Sequence, residues 1–374
     1  MNSQSASKNV DVSVIIPAYR SAATIGRALD SVIAQTVEPI EVIVVVDGLA
    51  DETYKLALSY EKKMGGISLI VLRQQRKGAG AARNKAISEA RGKFVAFLDA
   101  DDEWLPEKLE KTLSVHETGD YAIVSHDVWV SAGNGEIYID CARHFNSAFS
   151  DHFESVYRRG FISTSTTVAN RQKVIEAGGF DETLAAAQDF DLWLSMLGNP
   201  VADLFVFDEA LTRNYLTEGS ITSNTAQRLD CSLRVALRYV PHLKERKKSV
   251  LTNLSFRVLA VHREALTAFK NQKNYFPLFA TLTIFPISLV GIFVQALVAI
   301  FVQDINSPSS RLTPFTLDRN DTLESALSRR NTTKLSSNKT LVIMAWGWIG
   351  AMTTVYLYQF RKIFDALIVL MGLR

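Results

Sequence analysis

The chain contains little cysteine, no apolar leader and almost no net charge. Its two cysteines, Cys141 and Cys231, lie far apart. They lack metal-site or redox spacing, so a reducing compartment without a disulfide framework is expected. Residues 1–10 are polar, which argues against a signal peptide and predicts a disordered tail. The net charge of +2 over 374 residues identifies no class of partner, and no nucleic-acid partner is expected.

Several nucleotide-binding motifs are also missing. The sequence has no Walker loop, no dinucleotide fingerprint and no internal repeat, and Gly78-Ala79-Gly80 is too short to count as a fingerprint. These absences argue against a P-loop nucleotidase, a dinucleotide-dependent oxidoreductase and a solenoid.

The first 125 residues alternate short apolar runs with segments of helical periodicity. The predicted strands are Val12–Ile16, Glu41–Val46, Ile67–Leu72, Phe94–Leu98 and Tyr121–Ser125. Such alternation predicts an α/β fold with a mainly parallel sheet that is covered by helices on both faces. In open sheets of this kind, ligands bind beyond the carboxyl ends of the strands.

Polar and aromatic side chains are concentrated at those strand ends. The fourth strand is followed at once by Asp99, Asp101 and Asp102. Carboxylate oxygens suit Mg²⁺ or Mn²⁺, although such a cluster alone is equally compatible with a solvated loop that caps the next helix. Because Tyr19 and Asp47 follow the first and second strands, the sequence favours one site along this rim, with a divalent cation as cofactor.

The C-terminal part contains two uncharged stretches, Tyr275–Gln303 and Leu341–Phe360. Each is long enough to cross a bilayer, which predicts a membrane region over residues 275–374 with two transmembrane helices, the alternative being buried helices of a soluble domain. Residues 226–274 are basic and helical, as expected for a linker on the cytoplasmic side. The expected location is the inner membrane of a cell, with the catalytic domain on the cytoplasmic face.

Six short motifs, in order, point to a family. They are Val14-Ile15-Ile16-Pro17-Ala18-Tyr19, Glu41 to Thr53, Ala81-Ala82-Arg83-Asn84, Leu98 to Trp104, Gly178-Gly179-Phe180-Asp181 and Gln188 to Leu194. In this combination the chain resembles the inverting family-two glycosyltransferases with a GT-A fold, of the membrane-anchored bacterial type. The resemblance covers Val12–Ser223. It implies a GT-A domain over residues 11–225, with a nucleotide-sugar half (11–125) and an acceptor half (126–225).

The resemblance also implies roles for residues that bind the donor, a nucleoside diphosphate sugar and in the first place a UDP-sugar. By matching position, Pro17 and Tyr19 flank the base, Asp47 hydrogen-bonds the base, and Arg83 contacts the nucleotide or its diphosphate. One departure concerns the edge of this pocket, because Arg20 stands where asparagine is common.

Residues that bind the metal and accept the proton are also implied by the resemblance. The resemblance implies that Asp101 is the main metal ligand, that Asp99 helps at the ribose or the metal, and that Asp189 is the catalytic base. In an alternative assignment, Asp189 only caps a helix and Asp191 is the base. Gln188 replaces a usual glutamate beside the base, which changes the polarity there but leaves the proton acceptor in place.

The expected activity is a metal-dependent inverting transfer of a sugar to a hydroxyl of a glycan or a lipid-linked saccharide, as in polysaccharide biosynthesis of a cell envelope. A polyprenyl-phosphate glycosyltransferase is a second hypothesis. It is less favoured because Asp102-Glu103-Trp104 follows the acidic pair, where such enzymes tend to have Leu-Gln. A third hypothesis is an inactive membrane-bound scaffold that binds sugar nucleotides.

Overall fold

The computed structural model describes residues 10–48, 52–132, 135–146, 151–199, 202–216, 224–244, 246 and 249–275, with a few isolated residues up to 296. The chain divides into two units, residues 1–261 and residues 262–374. In the second unit, the described residues contain the last turns of a helix that ends at Asn271.

The first unit contains one sheet and its covering helices. The strands are β1 (Val10–Ala18), β2 (Pro39–Asp47), β3 (Ser68–Gln74), β4 (Phe94–Phe97), β5 (Glu103–Trp104), β6 (Tyr121–Ala132), β7 (Gly135–Ile139), β8 (Val168–Asn170) and β9 (Asp203–Tyr215). The helices are α1 (Ile25–Ile33), α2 (Thr53–Ser59), α3 (Ala79–Glu89), α4 (Lys108–Thr118), α5 (Ala142–Asn146), α6 (His152–Arg159), α7 (Arg171–Glu176), α8 (Gln188–Gly198), α9 (Thr225–Arg238) and α10 (Val250–Asn271), the last of which continues into the second unit.

The strand order is β3-β2-β1-β4-β8-β6-β9-β5, with β7 paired to β6. The α/β class is confirmed, and β3, β2, β1 and β4 are parallel as predicted. The rest of the sheet is mixed: β6 and β9 are parallel to each other, whereas three short strands run antiparallel to their neighbours. The short strand β8 runs antiparallel to both β4 and β6, and β5 and β7 are antiparallel to β9 and β6. The periodicity of a strand does not determine its direction, which depends on how the connections return.

The alternation of side chains along β1 and β2 builds a core on each face of the sheet. Val14 and Val42 pack with the helices α1, α2 and α4, whereas Ile15 and Ile43 pack against α3, α8 and α9 on the other face. All four are fully buried. Because both faces are covered, the polar groups at the strand ends are confined to the rim of the sheet.

Among the carboxylates that are buried within this sheet, that of Glu41 is held by hydrogen bonds from two other residues. Glu41 on β2 is fully buried. It accepts hydrogen bonds from Ser13 Oγ at 2.6 Å and from the backbone N and side-chain Nε of Arg91 at 2.7 and 2.9 Å. Burial acts to raise the pKa of Glu41, but the hydrogen bonds from Ser13 and Arg91 and the charge of Arg91 outweigh it and leave the pKa below its ordinary value.

Glu41→Gln is expected to lower the free energy of unfolding by about 2 kcal/mol at neutral pH, because an amide donates where the carboxylate accepts. The folded-state pKa is the lower one, so this stabilisation is complete above about pH 4.3, the ordinary glutamate value, and is lost as the pH falls through the folded-state pKa. Urea unfolding of both proteins between pH 7 and pH 3 measures it. If the difference in unfolding free energy between wild type and Glu41→Gln grew on acidification, a lowered pKa of Glu41 in the folded state would be contradicted.

The helices α9 and α10 pack into the first unit. Cys231 and Val235 of α9 and Leu254 and Val258 of α10 are fully buried, and the Tyr157 hydroxyl donates to the carbonyl of Ala236 at 2.8 Å. Residues 226–261 therefore form part of the compact unit, whereas the sequence places them in a linker. The difference arises because these helices contact α6 and α8, which are distant in sequence.

Within the part of the chain that the structure describes, no helix is long and apolar enough to cross a membrane. The predicted span Leu341–Phe360 and most of Tyr275–Gln303 lie outside the described residues. The same holds for residues 1–9 of the tail predicted over residues 1–10, whereas Val10 is the first residue of β1. The membrane region therefore stays a prediction.

Candidate functional site

Asp47, at the carboxyl end of β2, organises the loop that follows β3. Its Oδ1 accepts hydrogen bonds from Gln74 Nε2 and from the backbone N of Lys77, and its Oδ2 accepts one from the backbone N of Gly78, each at 2.8 Å. Gly78 has a φ of 97°, which favours glycine, and it directly precedes α3. The carboxylate therefore fixes both the loop and the start of that helix.

An aromatic ring and two arginines lie at the neighbouring end of β1. Tyr19 is 38% exposed, and the guanidinium carbons of Arg76 and Arg20 lie 4.4 and 5.4 Å from the centre of its ring. A β-carbon at Gly48 would lie 3.7 Å from the same ring. Pro17 is instead buried inside β1, opposite Val45 on β2. The partly exposed ring thus lies beside two positive charges, a setting that suits a planar or anionic group.

The acidic loop after β4 is joined to α3 by an ion pair. Arg83 of α3 is 7% exposed, and its Nη2 donates to Oδ1 of Asp99, whose side chain is 33% exposed. The second terminal nitrogen of Arg83, Nη1, donates to Gln188 Oε1 at 3.4 Å. Because α3 begins at the loop that Asp47 holds, the helix connects the β2 rim to the acidic loop.

The two following carboxylates differ in surroundings. Asp102 is 5% exposed, and its oxygens accept hydrogen bonds from Ser165 Oγ and from the backbone N of Tyr215. Burial, together with the charges of Asp99 and Asp101, raises its pKa well above the ordinary value. Asp101 is partly exposed, and its carbonyl accepts a hydrogen bond from Arg27. Asp102 is therefore held by the protein, whereas Asp99 and Asp101 are the more exposed carboxylates of the loop.

These two carboxylates fit a magnesium or manganese ion that is completed by a ligand. Over the residues that are described, no group of three or more histidine, cysteine, aspartate or glutamate side chains comes together to hold a metal. Mg²⁺ is usually held by one or two carboxylates together with substrate phosphates rather than by a protein cage. The donor set is thus adequate for a cation that binds with a diphosphate.

Asp189 lies in the first turn of α8 and is linked to the acidic loop. Its Oδ2 accepts a hydrogen bond from Thr164 Oγ1 at 3.0 Å, and its Oδ1 accepts one from the backbone N of Phe190 at 2.8 Å. Thr164 and Ser165 are consecutive in a short 3₁₀ turn, and Ser165 contacts Asp102. This turn therefore brings Asp189 and the acidic loop to one place, although 87 residues separate Asp189 from Asp102 in sequence.

The start of α8 is strained, and Asp191 points elsewhere. Ala187 has a φ of 57°, a left-handed conformation that costs a residue with a β-carbon about 1–2 kcal/mol. Asp191 is buried and forms an ion pair with Arg238 at 2.7 Å. Burial raises its pKa, against the opposing charge of Arg238. Since the Asp191 carboxylate is occupied by an arginine, the geometry favours Asp189 as the proton acceptor.

The structure thus brings together Arg83, Asp99 and Asp189, and it places Tyr19 and Asp47 at the adjoining strand ends. The site also contains three residues that the sequence motifs do not indicate, namely Arg76, Thr164 and Ser165. The run of five hydroxyl residues at 163–167 is the signal that points to the last two. Arg76 carries no comparable pattern.

Comparisons with known proteins agree with this geometry. The family model described as "Glycosyl transferase family 2" matches residues 13–178. The amylovoran biosynthesis glycosyltransferase AmsB of Erwinia amylovora is 35% identical over 195 residues, which are 50% of this chain and 63% of AmsB. The Escherichia coli protein WfgD, named UDP-Glc:alpha-D-GlcNAc-diphosphoundecaprenol beta-1,3-glucosyltransferase, is 28% identical over 220 residues, 58% of this chain and 82% of WfgD. The chain spans about two thirds of the length of the first of the curated relatives that it matches.

Among solved structures, S. aureus TarS (residues 1–349), in complex with UDP-GlcNAc, has a TM-score of 0.57 and 22% identity. The similarity covers 77% of this chain and 81% of that one. At this identity the likeness shows the fold, which is a GT-A-like α/β fold with a mixed sheet.

Proposed function

We propose, from the match of residues 13–178 to the model of Glycosyl transferase family 2, that the chain is a glycosyltransferase of this family and transfers a sugar from a nucleoside diphosphate sugar to a hydroxyl group, with inversion. The donor proposed first is a UDP-sugar, because WfgD is named for UDP-Glc and TarS was solved with UDP-GlcNAc. The acceptor proposed is a glycan or a lipid-linked saccharide, the latter being the kind of acceptor in the name of WfgD.

One observation carries the proposal. The 3₁₀ turn Thr164–Thr166 contacts Asp189 through Thr164 and the acidic loop through Ser165. A proton acceptor and a pair of carboxylates suited to a cation thus lie on either side of one turn. Direct displacement needs such an arrangement, since the base acts on the acceptor while the cation stabilises the departing diphosphate.

Asp189 is proposed as the general base. Its Oδ1 is held by the backbone N of Phe190 and its Oδ2 by the Thr164 hydroxyl, so the carboxylate has a fixed orientation. As the acceptor oxygen forms its bond to the anomeric carbon, its proton passes to Asp189, and the bond from that carbon to the diphosphate oxygen breaks with its electron pair on the diphosphate. A single displacement inverts the configuration at that carbon.

The donor is proposed to bind across α3. Tyr19 and Asp47 take the nucleoside end, and Arg83 and the acidic loop take the diphosphate end. Asp101 would hold a divalent cation with help from Asp99, and the cation would neutralise the charge that develops on the leaving diphosphate. Because Arg83 is already paired with Asp99, it is preorganised to add a second, permanent positive charge at the same place.

The proposal is tested with a donor panel. The purified full-length protein is incubated with UDP-, GDP-, dTDP- and CMP-sugars, each with Mg²⁺, with Mn²⁺ and with a chelator, and release of the nucleotide is measured with glycan acceptors and with polyprenyl phosphate. Turnover that needs both a donor and a cation supports the proposal. Transfer to polyprenyl phosphate alone would identify the polyprenyl-phosphate enzyme instead. Binding without turnover under every condition would identify a scaffold.

Asp47→Asn is expected to weaken nucleotide binding about tenfold, because its amide N–H replaces an acceptor that the 74–78 loop uses. Titration calorimetry with UDP and Mn²⁺ measures the change. The control is Glu52→Gln, which removes a surface charge. Glu52 forms an ion pair with Lys55, and each of the two side chains is 73% exposed. Equal affinities for both variants and wild type would show that this loop does not contribute to the nucleotide site.

The location of the protein is also a proposal. We infer an attachment to the inner membrane with the catalytic unit on the cytoplasmic face, from the two uncharged stretches and the basic residues before the first of them. Membrane sedimentation of the full chain and of a chain ending at residue 274 tests the inference.

A further inference from the structure

The loop between α7 and α8 is held by α3 on one side. Asn84 Oδ1 accepts a hydrogen bond from the backbone N of Phe180 at 2.8 Å, and Asn84 Nδ2 donates to the carbonyl of Phe180 at 2.9 Å. A β-carbon at Gly179 would lie 2.7 Å from Asn84 Oδ1, so the contact requires glycine there. The first residues of the loop are thus fixed to the helix that carries Arg83.

The same loop is held by α9 on its other side. Arg238 Nη2 pairs with Asp181 Oδ2 and Arg238 Nη1 with Asp191 Oδ1, both at 2.7 Å. The next residue, Tyr239, donates its hydroxyl to the carbonyl of Asp191 at 3.0 Å. One guanidinium therefore joins the beginning of the loop to the first turn of α8, and Asp189 lies in the segment between the two anchor points.

A second arginine contacts the residue next to Asp189. The guanidinium carbon of Arg257 on α10 lies 4.0 Å from the centre of the Phe190 ring. Arg257 is 4% exposed, and a β-carbon at Gly160 would lie 2.7 Å from its Nη1. Both residues that follow Asp189 are thus in contact with arginines of the C-terminal helices.

We propose that Arg238 is a positioning residue for Asp189, and that α9 and α10 complete the catalytic unit rather than only connect it to another part of the chain. The proposal rests on the proposed function. Arg238 lies 60 residues beyond the end of the family match at residue 178. The physical reason is the strained entry to α8: Ala187 holds a left-handed conformation, and such conformations persist only where surrounding contacts fix them.

The planar fork of arginine is required by this geometry. Its two terminal nitrogens reach two carboxylates at once, whereas the ammonium of lysine is a single point charge. We therefore expect Arg238→Lys to keep the charge balance of the buried carboxylates but to position α8 less well than wild type. Arg238→Met is expected to lose the bridge entirely.

The test measures kcat, KM for the acceptor and nucleotide binding in the full chain, with the best donor of the panel. Arg238→Met is expected to lower kcat roughly 100-fold, which is the effect of a small misplacement of a catalytic group. The kcat of Arg238→Lys is expected to be about tenfold higher than that of Arg238→Met. The stoichiometry and affinity for UDP with Mn²⁺, or for GDP if the panel selects it, stay within about twofold of wild type, because Arg238 pairs with Asp181 and Asp191, neither of which is a proposed nucleotide ligand.

Arg234→Met is the matched control. Arg234 lies one turn earlier on α9, is 53% exposed and pairs with Asp230 at the surface. The substitution Arg234→Met should leave both kcat and UDP binding unchanged.

Three results overturn the proposal in different ways. Wild-type kcat in Arg238→Met would show that the bridge does not act on Asp189. If kcat of Arg238→Met falls only in proportion to the fraction of protein that still binds UDP, Arg238 only keeps the protein folded. If wild type and Arg234→Met bind nucleotide but transfer no sugar from any donor, the proposed function fails, and the positioning role fails with it.

Discussion

Replacement of Asp189 by asparagine is expected to lower kcat about 10³-fold, while the affinity for the donor nucleotide stays within about twofold. Asparagine keeps the size of the side chain, and its carbonyl oxygen still accepts a hydrogen bond from Thr164 or Phe190. It has no basic oxygen to take the proton of the acceptor hydroxyl. The loss therefore falls on the chemical step and not on the contacts that hold the donor.

Single-turnover transfer and calorimetry with UDP and Mn²⁺ separate the two effects. Asp191→Asn is the informative control, since the two residues lie in the same turn but Asp191 is buried against Arg238. It is expected to reduce kcat about tenfold, through the position of α8 alone. The opposite ranking, with Asp191→Asn the more damaging variant, would move the base to Asp191.

Asp101→Ala is expected to lower turnover about 10³-fold and to abolish the dependence of donor binding on Mn²⁺. Asp99 alone is a poor substitute as a ligand, because it is paired with Arg83. Without a carboxylate at position 101, the departing diphosphate keeps only the charge of Arg83 to stabilise it.

Donor binding measured with and without Mn²⁺ in wild type, Asp101→Ala and Asp102→Asn checks this assignment. The Asp102 oxygens accept hydrogen bonds from Ser165 and Tyr215, and its pKa is raised by burial. A neutral amide is therefore expected to keep the metal dependence in Asp102→Asn. Identical donor affinity with and without Mn²⁺ in wild type would remove the metal assignment altogether.

The parallel part of the sheet and the rim of the candidate site were predictable because they follow from local patterns. The apolar runs that became β1 to β4 were correct in order and nearly in extent. The placement of Tyr19, Asp47 and Asp99 at strand ends follows directly from those strands, since parallel strands end at the same edge. The motif at 188–194 was also visible, and it does begin α8.

The direction of β8 was not predictable. The run Ile162–Asn170 gives the 3₁₀ turn Thr164–Thr166 and then the short antiparallel strand β8. Alternation of side chains is the same in parallel and antiparallel strands, and a row of hydroxyl residues has no periodicity that separates turn from strand. Only the packing of β8 between β4 and β6 decides the matter.

The sequence by itself determined which chemical groups this protein has for its function and the strand ends that carry most of them. The tertiary structure alone decided their partners: Arg83 with Asp99, Thr164 with Asp189, and Arg238 with Asp181 and Asp191. Residue type and spacing specify local conformation, because they act over a few residues. An ion pair across 47 residues, such as that of Asp191 with Arg238, depends on how distant helices pack, and no local pattern contains that information.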